Sequence, residues 1–257
     1  MSDSKTPADQ AQEVASEEPL LEIDGLSVSI EDHSIVEDVD IKVNQGESVG
    51  LIGRNGAGKT TTFRGIMQHS EVTVTSGDIT FDGTDLRASH RQDLAKMGIG
   101  YQAERDALFN GMTVNEHFRL PIWVSGDDVG IVDEDERVEE LFNIFPAMKE
   151  FKQQNVNKLS GGQRKMTAIG SALALNPDLV ILDEPLEGLA PTIVEDIKEV
   201  VNEISEQGIA VMLAEANLAH AQELVDRVYI IERGEIYDHG SVDELIERKE
   251  IQNLLQG

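Results

Sequence analysis

The chain has 257 residues, with 21 basic and 49 acidic side chains and a formal charge of −28. It has no cysteine, which excludes disulfides, thiolate metal sites and cysteine nucleophiles; a field of this sign also repels phosphate backbones and argues against a nucleic-acid partner. The length suits one or two domains, 40% hydrophobic residues is a globular composition, and no stretch approaches the roughly 18 apolar residues of a membrane-spanning helix.

Residues Met1 to Pro19 are polar and acidic and read as a disordered tail, with no basic-then-apolar signal pattern. The folded part is expected over residues 20–257. Leu21, Ile23, Leu26, Val28 and Ile30 alternate imperfectly, as in a strand. Val39 to Val43, the turn Asn44-Gln45-Gly46, and Glu47 to Gly53 read as strand, turn, strand. A helix from Gly58 to about Gln68 follows, then short strands at Ser76–Phe81 and Gly98–Tyr101. Residues from about Asp106 to Lys158 mix Phe, Trp and Leu with charge and carry helical spacing at Val138, Leu141, Phe142 and Phe145, the mark of a helical insertion. Trp123 is expected in its core. Leu179–Leu182 and Ile209–Ala214 are continuous apolar runs of the buried parallel type, separated by an amphipathic helix over Ile193–Ser205. A hairpin turning at Arg233-Gly234 and one charged helix over Ser241–Leu255 complete the chain. Strands alternating with helices predict an α/β fold around a mainly parallel sheet.

Gly53-Arg54-Asn55-Gly56-Ala57-Gly58-Lys59-Thr60 fits G-x-x-x-x-G-K-[ST] at every fixed position, between a buried strand and a helix. Glycines let the backbone wrap an anion with its N–H groups inward, and the helix start adds a favourable dipole. Lys59 is expected to reach the β- and γ-phosphates, Thr60 to ligate Mg²⁺, and Thr61 to line the same site. A plain glycine-rich turn beside a lysine is the blander reading, and the strand and helix on either side argue against it. Leu179-Val180-Ile181-Leu182-Asp183-Glu184 supplies the complement: Asp183 at the strand end to hold Mg²⁺, Glu184 to polarise an attacking water. Alone, an apolar strand ending in two acids is weak; beside the phosphate loop it gains weight.

Leu159-Ser160-Gly161-Gly162-Gln163 lies between these motifs and opens a helix. With all three in this order, the chain resembles the nucleotide-binding subunit of an ABC transporter over about residues 20 to 245. The resemblance implies a P-loop NTPase of ABC type: a mainly parallel core sheet, an antiparallel β subdomain and a helical subdomain at about 106–170. It implies ATP and Mg²⁺ as ligands. It also implies that Ser160, Gly161, Gly162 and Gln163 contact the nucleotide held by the opposite subunit. Asp183-Glu184-Pro185-Leu186-Glu187-Gly188-Leu189-Ala190-Pro191, Met166-Thr167-Ala168-Ile169-Gly170 and Glu215-Ala216-Asn217 are similar to the branched-chain amino-acid importers, in particular to their smaller ATPase. The implied partners are a second ABC ATPase subunit, transmembrane permease subunits docking near Glu104 and Arg105 to Asn115, and a solute-binding protein. The implied place is the cytoplasmic face of the cell membrane. A soluble ABC ATPase of assembly or regulatory type shares the same motifs.

Three family positions are filled unusually. The place for an adenine-stacking aromatic falls on Ile30, with His33 as a loop alternative. The place of the Mg²⁺- and water-contacting glutamine falls on Glu104, with Gln102 as the lesser candidate. The γ-phosphate histidine is replaced by Ala216, with His220 one turn further on. Together they predict a site that binds ATP and hydrolyses it slowly, Glu184 being intact. Acidic residues are spread along the whole chain, which reads as adaptation to high salt, where screening shortens to ~3 Å near 1 M; an ordinary acidic protein is the alternative. The chain is expected to unfold in dilute buffer and to recover in molar KCl, followed by circular dichroism; full stability without salt contradicts the salt reading.

Overall fold

The computed structural model describes residues 18–104, 108–126, 130–131 and 133–256. The N-terminal tail up to residue 17, and Arg105 to Ala107 of the expected docking segment, lie outside the described residues. In chain order the elements are β1 (Leu21–Ile30), β2 (His33–Val43), β3 (Ser48–Ile52), α1 (Lys59–Ile66), β4 (Thr73–Phe81), β5 (Thr84–Asp85) and β6 (Ile99–Gln102). There follow α2 (Val114–Ser125), α3 (Glu134–Ile144), α4 (Gly161–Leu173), β7 (Leu179–Asp183), α5 (Pro191–Glu206), β8 (Ala210–Glu215) and α6 (Leu218–Ala221). β9 (Arg227–Glu232), β10 (Glu235–Ser241), α7 (Val242–Ile246) and α8 (Lys249–Gln256) close the chain.

Two sheets form. β2-β1-β4-β5 is antiparallel, and β10-β9-β3-β8-β7-β6 is parallel from β9 to β6 with β10 as an antiparallel edge. The fold is the expected α/β type with a mainly parallel core sheet beside an antiparallel one. Every residue of β3, β7 and β8 is buried. Side chains along a strand alternate between faces, so these strands feed two cores. Leu51, Ile181, Met212 and Ala214 face the antiparallel sheet and Phe63 of α1. Ile52, Leu182, Val211 and Leu213 face α2, α4 and α5. Strands covered on both sides must be apolar throughout, which is why they read as unbroken runs.

The helices between β6 and β7 are bound to one another by aromatic packing and by end capping. Thr113 and Glu116 form a reciprocal capping box at the start of α2. Phe118 of α2 packs 5.0 Å from Phe142 and 6.1 Å from Phe145, ring centre to ring centre. From α3, the buried Arg137 donates through Nε to Ala174 O at 3.2 Å and through Nη2 to Leu173 O at 2.6 Å. It therefore satisfies the open carbonyls at the end of α4 with a cation, where the helix dipole is negative.

Several boundaries differ from the sequence reading. β2 begins at His33, six residues before Val39, and β4 at Thr73, three before Ser76. Their leading residues are polar because their outer faces meet solvent. Trp123 is not core: it is 51% exposed, and its indole N–H donates to Glu134 Oε1 at 3.0 Å. The buried stripe of α2 runs through Val114, Phe118 and Ile122, and Trp123 sits one residue off it. The last helix is two helices. Apolar contacts at Val242 and Leu245 resume only at Ile251, and between them Arg248 turns to Asp238 at 2.7 Å.

Gly170 of α4 faces Phe118: a Cβ there would lie 2.4 Å from Phe118 Cε1. Helix propensity favours Gly170→Ala by about 1 kcal/mol, while overpacking a ring that cannot move costs about 1–3 kcal/mol. The variant is expected to be less stable than the parent by up to about 2 kcal/mol in urea unfolding at molar KCl; a higher midpoint contradicts the packing argument.

Candidate nucleotide site

The parallel register brings three strand ends to one level. Ile52 of β3 pairs with Glu215 of β8, and Ala214 of β8 with Asp183 of β7. The chain leaves β3 as a loop whose first N–H, on Gly53, donates to Glu215 O at 3.1 Å. A Cβ on Gly53 would lie 2.4 Å from Ile231 O, so glycine is required there. Gly58, at φ +115°, turns the loop into α1 through a backbone conformation that disfavours any side chain. The turn between β9 and β10 braces the loop from outside, with Gly234 N–H donating to Ala57 O at 2.9 Å.

Lys59 is buried and its ammonium lies inside the loop. It donates to Gly53 O at 2.7 Å and to Arg54 O at 3.3 Å, and pairs with Glu184 Oε1 at 3.0 Å. Thr60 Oγ1 donates to Asp183 Oδ1 at 3.1 Å. Lys59, Thr60 and Glu184 face a cleft of about 380 Å³ lined also by Asn55, Gly56, Thr61, Glu104 and Glu187, and Asp183 lies buried behind Thr60. Arg54 and Ala57 belong to the loop itself. Lysine, hydroxyl, loop and Glu184 thus converge on one cleft, with Asp183 tied to it through the Thr60 hydroxyl.

Asp183 is fully buried and its Oδ2 has no hydrogen-bond partner. Burial raises its carboxyl to about 6 despite the Thr60 bond. A hard cation beside Thr60 supplies what that oxygen lacks. Among the described residues no three His, Cys, Asp or Glu side chains group closely enough to hold a metal alone. That suits an ion that takes most of its ligands from phosphate and water. Thr60, Asp183 and Glu104 are the residues that fit Mg²⁺ here. Burial alone would push Glu184 up; hydrogen bonds with Glu187 and Lys59, and the Lys59 charge, outweigh it and hold the carboxyl below its ordinary range. Glu187 is pushed up by the same shared hydrogen bond.

Glu104 lines the cleft. Gln102 does not: it is buried against the end of β7, with Nε2 3.5 Å from Asp183 O and Oε1 unpartnered. Ile30 ends β1 opposite His33 and is not among the cleft-lining residues. Ile35 is, from the part of β2 that precedes the expected Val39 to Val43 strand. Ser160 caps α4, its Oγ accepting from Gln163 N–H at 3.3 Å while Gln163 Oε1 accepts from Ser160 N–H at 2.9 Å. Neither these two nor Gly161 and Gly162 line the same chain's phosphate cleft. Ala216 lines a second pocket of about 380 Å³ together with Glu184, Leu186, Asn217 and His220.

The ABC transporter family matches residues 36–187, which hold the phosphate loop, the helix start at Ser160 and the Asp183-Glu184 pair. The chain belongs to the ABC transporter family. It is 32% identical over 223 residues to the lipopolysaccharide export system ATP-binding protein LptB of Escherichia coli (strain K12), covering 87% of this chain and 91% of that protein. It is 31% identical over 238 residues to the high-affinity branched-chain amino acid transport ATP-binding protein BraG of Pseudomonas aeruginosa, covering 93% of this chain and all of that protein. Among solved structures, the ADP conformation of MJ1267, an ATP-binding cassette of an ABC transporter, aligns with TM-score 0.79 at 25% identity over 94% of this chain and 100% of that one. This ABC protein is therefore an ATPase, the ATP-binding motor subunit of a transporter, and ATP with Mg²⁺ is its ligand set. Subunits of this family work with transmembrane permeases, and among the described residues no helix is long and apolar enough to cross a membrane.

Glu215 is buried and its carboxyl is raised to about 7, chiefly by burial and further by the Glu184 charge, against an opposing Leu186 hydrogen bond. The ordinary values are 3.8 for Asp183 and 4.5 for Glu215. A raised carboxyl favours the protonated form in the fold. The stability contributed by this pair is complete below the ordinary values and lost as pH climbs through about 6 and about 7. Without nucleotide, the melting temperature at molar KCl is expected to fall between about pH 4 and about pH 7, and Glu215→Gln is expected to flatten that fall. Calorimetry across this range checks it; parallel profiles for the two proteins contradict it.

Proposed function

We propose that this chain is the ATPase of an importer for branched-chain amino acids or a related small polar solute, bound through permease subunits to the cytoplasmic face of the membrane. The observation that carries its chemistry is the convergence of Lys59, Thr60 and Glu184 on one cleft, with Asp183 bonded to Thr60 behind it. The phosphate-loop amides and Lys59 hold the β- and γ-phosphates of ATP. Thr60, Asp183 and Glu104 hold Mg²⁺, which when bound neutralises charge on the phosphate oxygens. An arriving γ-phosphate competes with Glu184 for the Lys59 ammonium. Release from that pair frees the Glu184 carboxylate from the ammonium and leaves it able to take a proton from the attacking water. Ser160 and the amides of Gly161 and Gly162, with Gln163, close over the phosphate of a facing subunit, a second ABC ATPase; Ile30 and Ile35 cover the base side.

The importer reading draws on the stretch Gly188-Leu189-Ala190-Pro191 and on the likeness to BraG. The comparable likeness to LptB makes export the outcome to test against. The permease surface is the groove of about 540 Å³ between Glu104, Phe109 and His117 on one side and Arg64 and Arg91 on the other, where Phe109 is 59% exposed. A solute-binding protein completes the system. The wide spread of acidic residues suits work in molar salt. Ala216 offers the γ-phosphate only its backbone, so this site turns over slowly.

Glu184→Gln is expected to remove the hydrolysis performed at this site, and Ala216→His to raise it by at least about fivefold, since one added donor to developing phosphate charge is worth about that or more. Phosphate release in molar KCl, with and without the second ATPase subunit, checks both; Glu184→Gln at parental turnover places the chemistry in the partner's site. Leucine uptake by vesicles holding the assembled complex tests the solute.

A further inference from the structure

Glu184 carries an unusual backbone. Its φ is +49°, the left-handed region that a residue with a Cβ avoids unless its surroundings impose it. Two outside bonds impose it. Glu184 N–H donates to Ala214 O at 3.1 Å, and Leu186 N–H donates to Glu215 Oε1 at 3.1 Å. Pro185 between them has no N–H to give. Past the strand end, a long Glu187 N–H to Glu184 O bond of 3.4 Å closes the turn on itself, and the Glu215 carboxylate is the side chain that ties it to β8.

Glu215 is itself firmly held. It is 3% exposed, its backbone O receives the Gly53 N–H that starts the phosphate loop, and β8 is paired on both sides, to β3 and to β7. His220 Nδ1 lies 3.9 Å from its other oxygen, Oε2. A buried carboxyl is costly unless it is hydrogen-bonded, and an apolar residue in its place would strand the Leu186 N–H at a position only 2% exposed. One residue thus touches both halves of the site: its main chain anchors the phosphate loop, and its side chain anchors the turn that bears Glu184.

We propose that Glu215 is a positioning residue for ATP hydrolysis: by accepting the Leu186 N–H it holds Glu184 in the left-handed turn that aims its carboxylate at Lys59. This rests on the reading of Glu184 as the base. What matters is an acceptor oxygen at the right reach. Glu215→Gln keeps it. Glu215→Asp keeps the charge but falls one methylene short. Glu215→Ala removes both.

The test is steady-state ATP hydrolysis by the full-length chain with its partner ATPase in molar KCl, beside amide hydrogen exchange over residues 184–190 of each variant. Glu215→Asp and Glu215→Ala are expected to lower kcat at least tenfold with KM for ATP within twofold. Both are expected to speed exchange in that segment. Glu215→Gln is expected to keep the larger part of turnover and the slow exchange. Parental kcat and exchange in Glu215→Asp and Glu215→Ala overturn the proposal. So does a Gln variant as impaired as Ala, which would make charge the requirement. Should Glu215→Ala fail to fold, the Asp and Gln pair decides alone, and exchange reads the turn whatever the turnover. Glu184→Gln is the control. If it keeps parental turnover, the base reading falls and this proposal with it; if it loses turnover while Glu215→Asp does not, only the role of Glu215 falls.

Discussion

The parallel hydrogen bonding of β3, β8 and β7 is the constraint on which the rest of the site depends. Once Ile52 stands beside Glu215, and Ala214 beside Asp183, the chain has no choice about where its polar loops emerge. The phosphate loop, the Asp183-Glu184 pair and the segment starting at Ala216 all leave the same edge of the sheet, where ligands of open α/β sheets bind. The apolar residues before each loop set the register, because a slip of one residue would turn each strand's buried side chains to the other core. Precision at the ionic groups thus comes from packing in two hydrophobic layers that never touch the nucleotide.

Within that frame the charges are arranged for exchange more than for permanence. Lys59 satisfies two loop carbonyls and one carboxylate, and a phosphate can replace the carboxylate without disturbing the carbonyls. Asp183 gives one oxygen to Thr60 and leaves the other without a protein partner. Elsewhere the cations do structural work. Arg137 closes the end of α4, and Arg227 spans Lys42 O at 2.7 Å and Glu47 at 2.8 Å across the two sheets. With 21 basic residues set against 49 acidic ones, many carboxylates must face water with no cation beside them.

The phosphate loop and the two buried strands were legible because their signal is local: fixed spacings and unbroken apolar runs need no knowledge of the partner strand. The fold class followed from their alternation. Ile35 was hidden because β2 opens with polar residues on a solvent-facing side, which look like a loop until β1 pairs with them. Trp123 misled because aromatic size argues for burial, whereas its position on α2 is set by the phase of Val114, Phe118 and Ile122. The broken final helix turned on Arg248 finding Asp238 in a different element. The bond from Leu186 to Glu215 spans 29 residues of sequence and has no pattern of its own.

The brace from the last hairpin onto the phosphate loop bears on how the chain comes off the ribosome. Gly234 holds Ala57 through its N–H, and its carbonyl accepts from Glu37 N–H at 2.9 Å. The nucleotide motif is thus complete in sequence within the first quarter of the chain but complete in space only when residues near 234 have been made. The Ile231 carbonyl that Gly53 must pass belongs to the same late segment. A nascent chain long enough to contain the whole phosphate loop still lacks the wall that shapes it. The phosphate loop therefore meets its outer wall only once residues 231–234 have been synthesised.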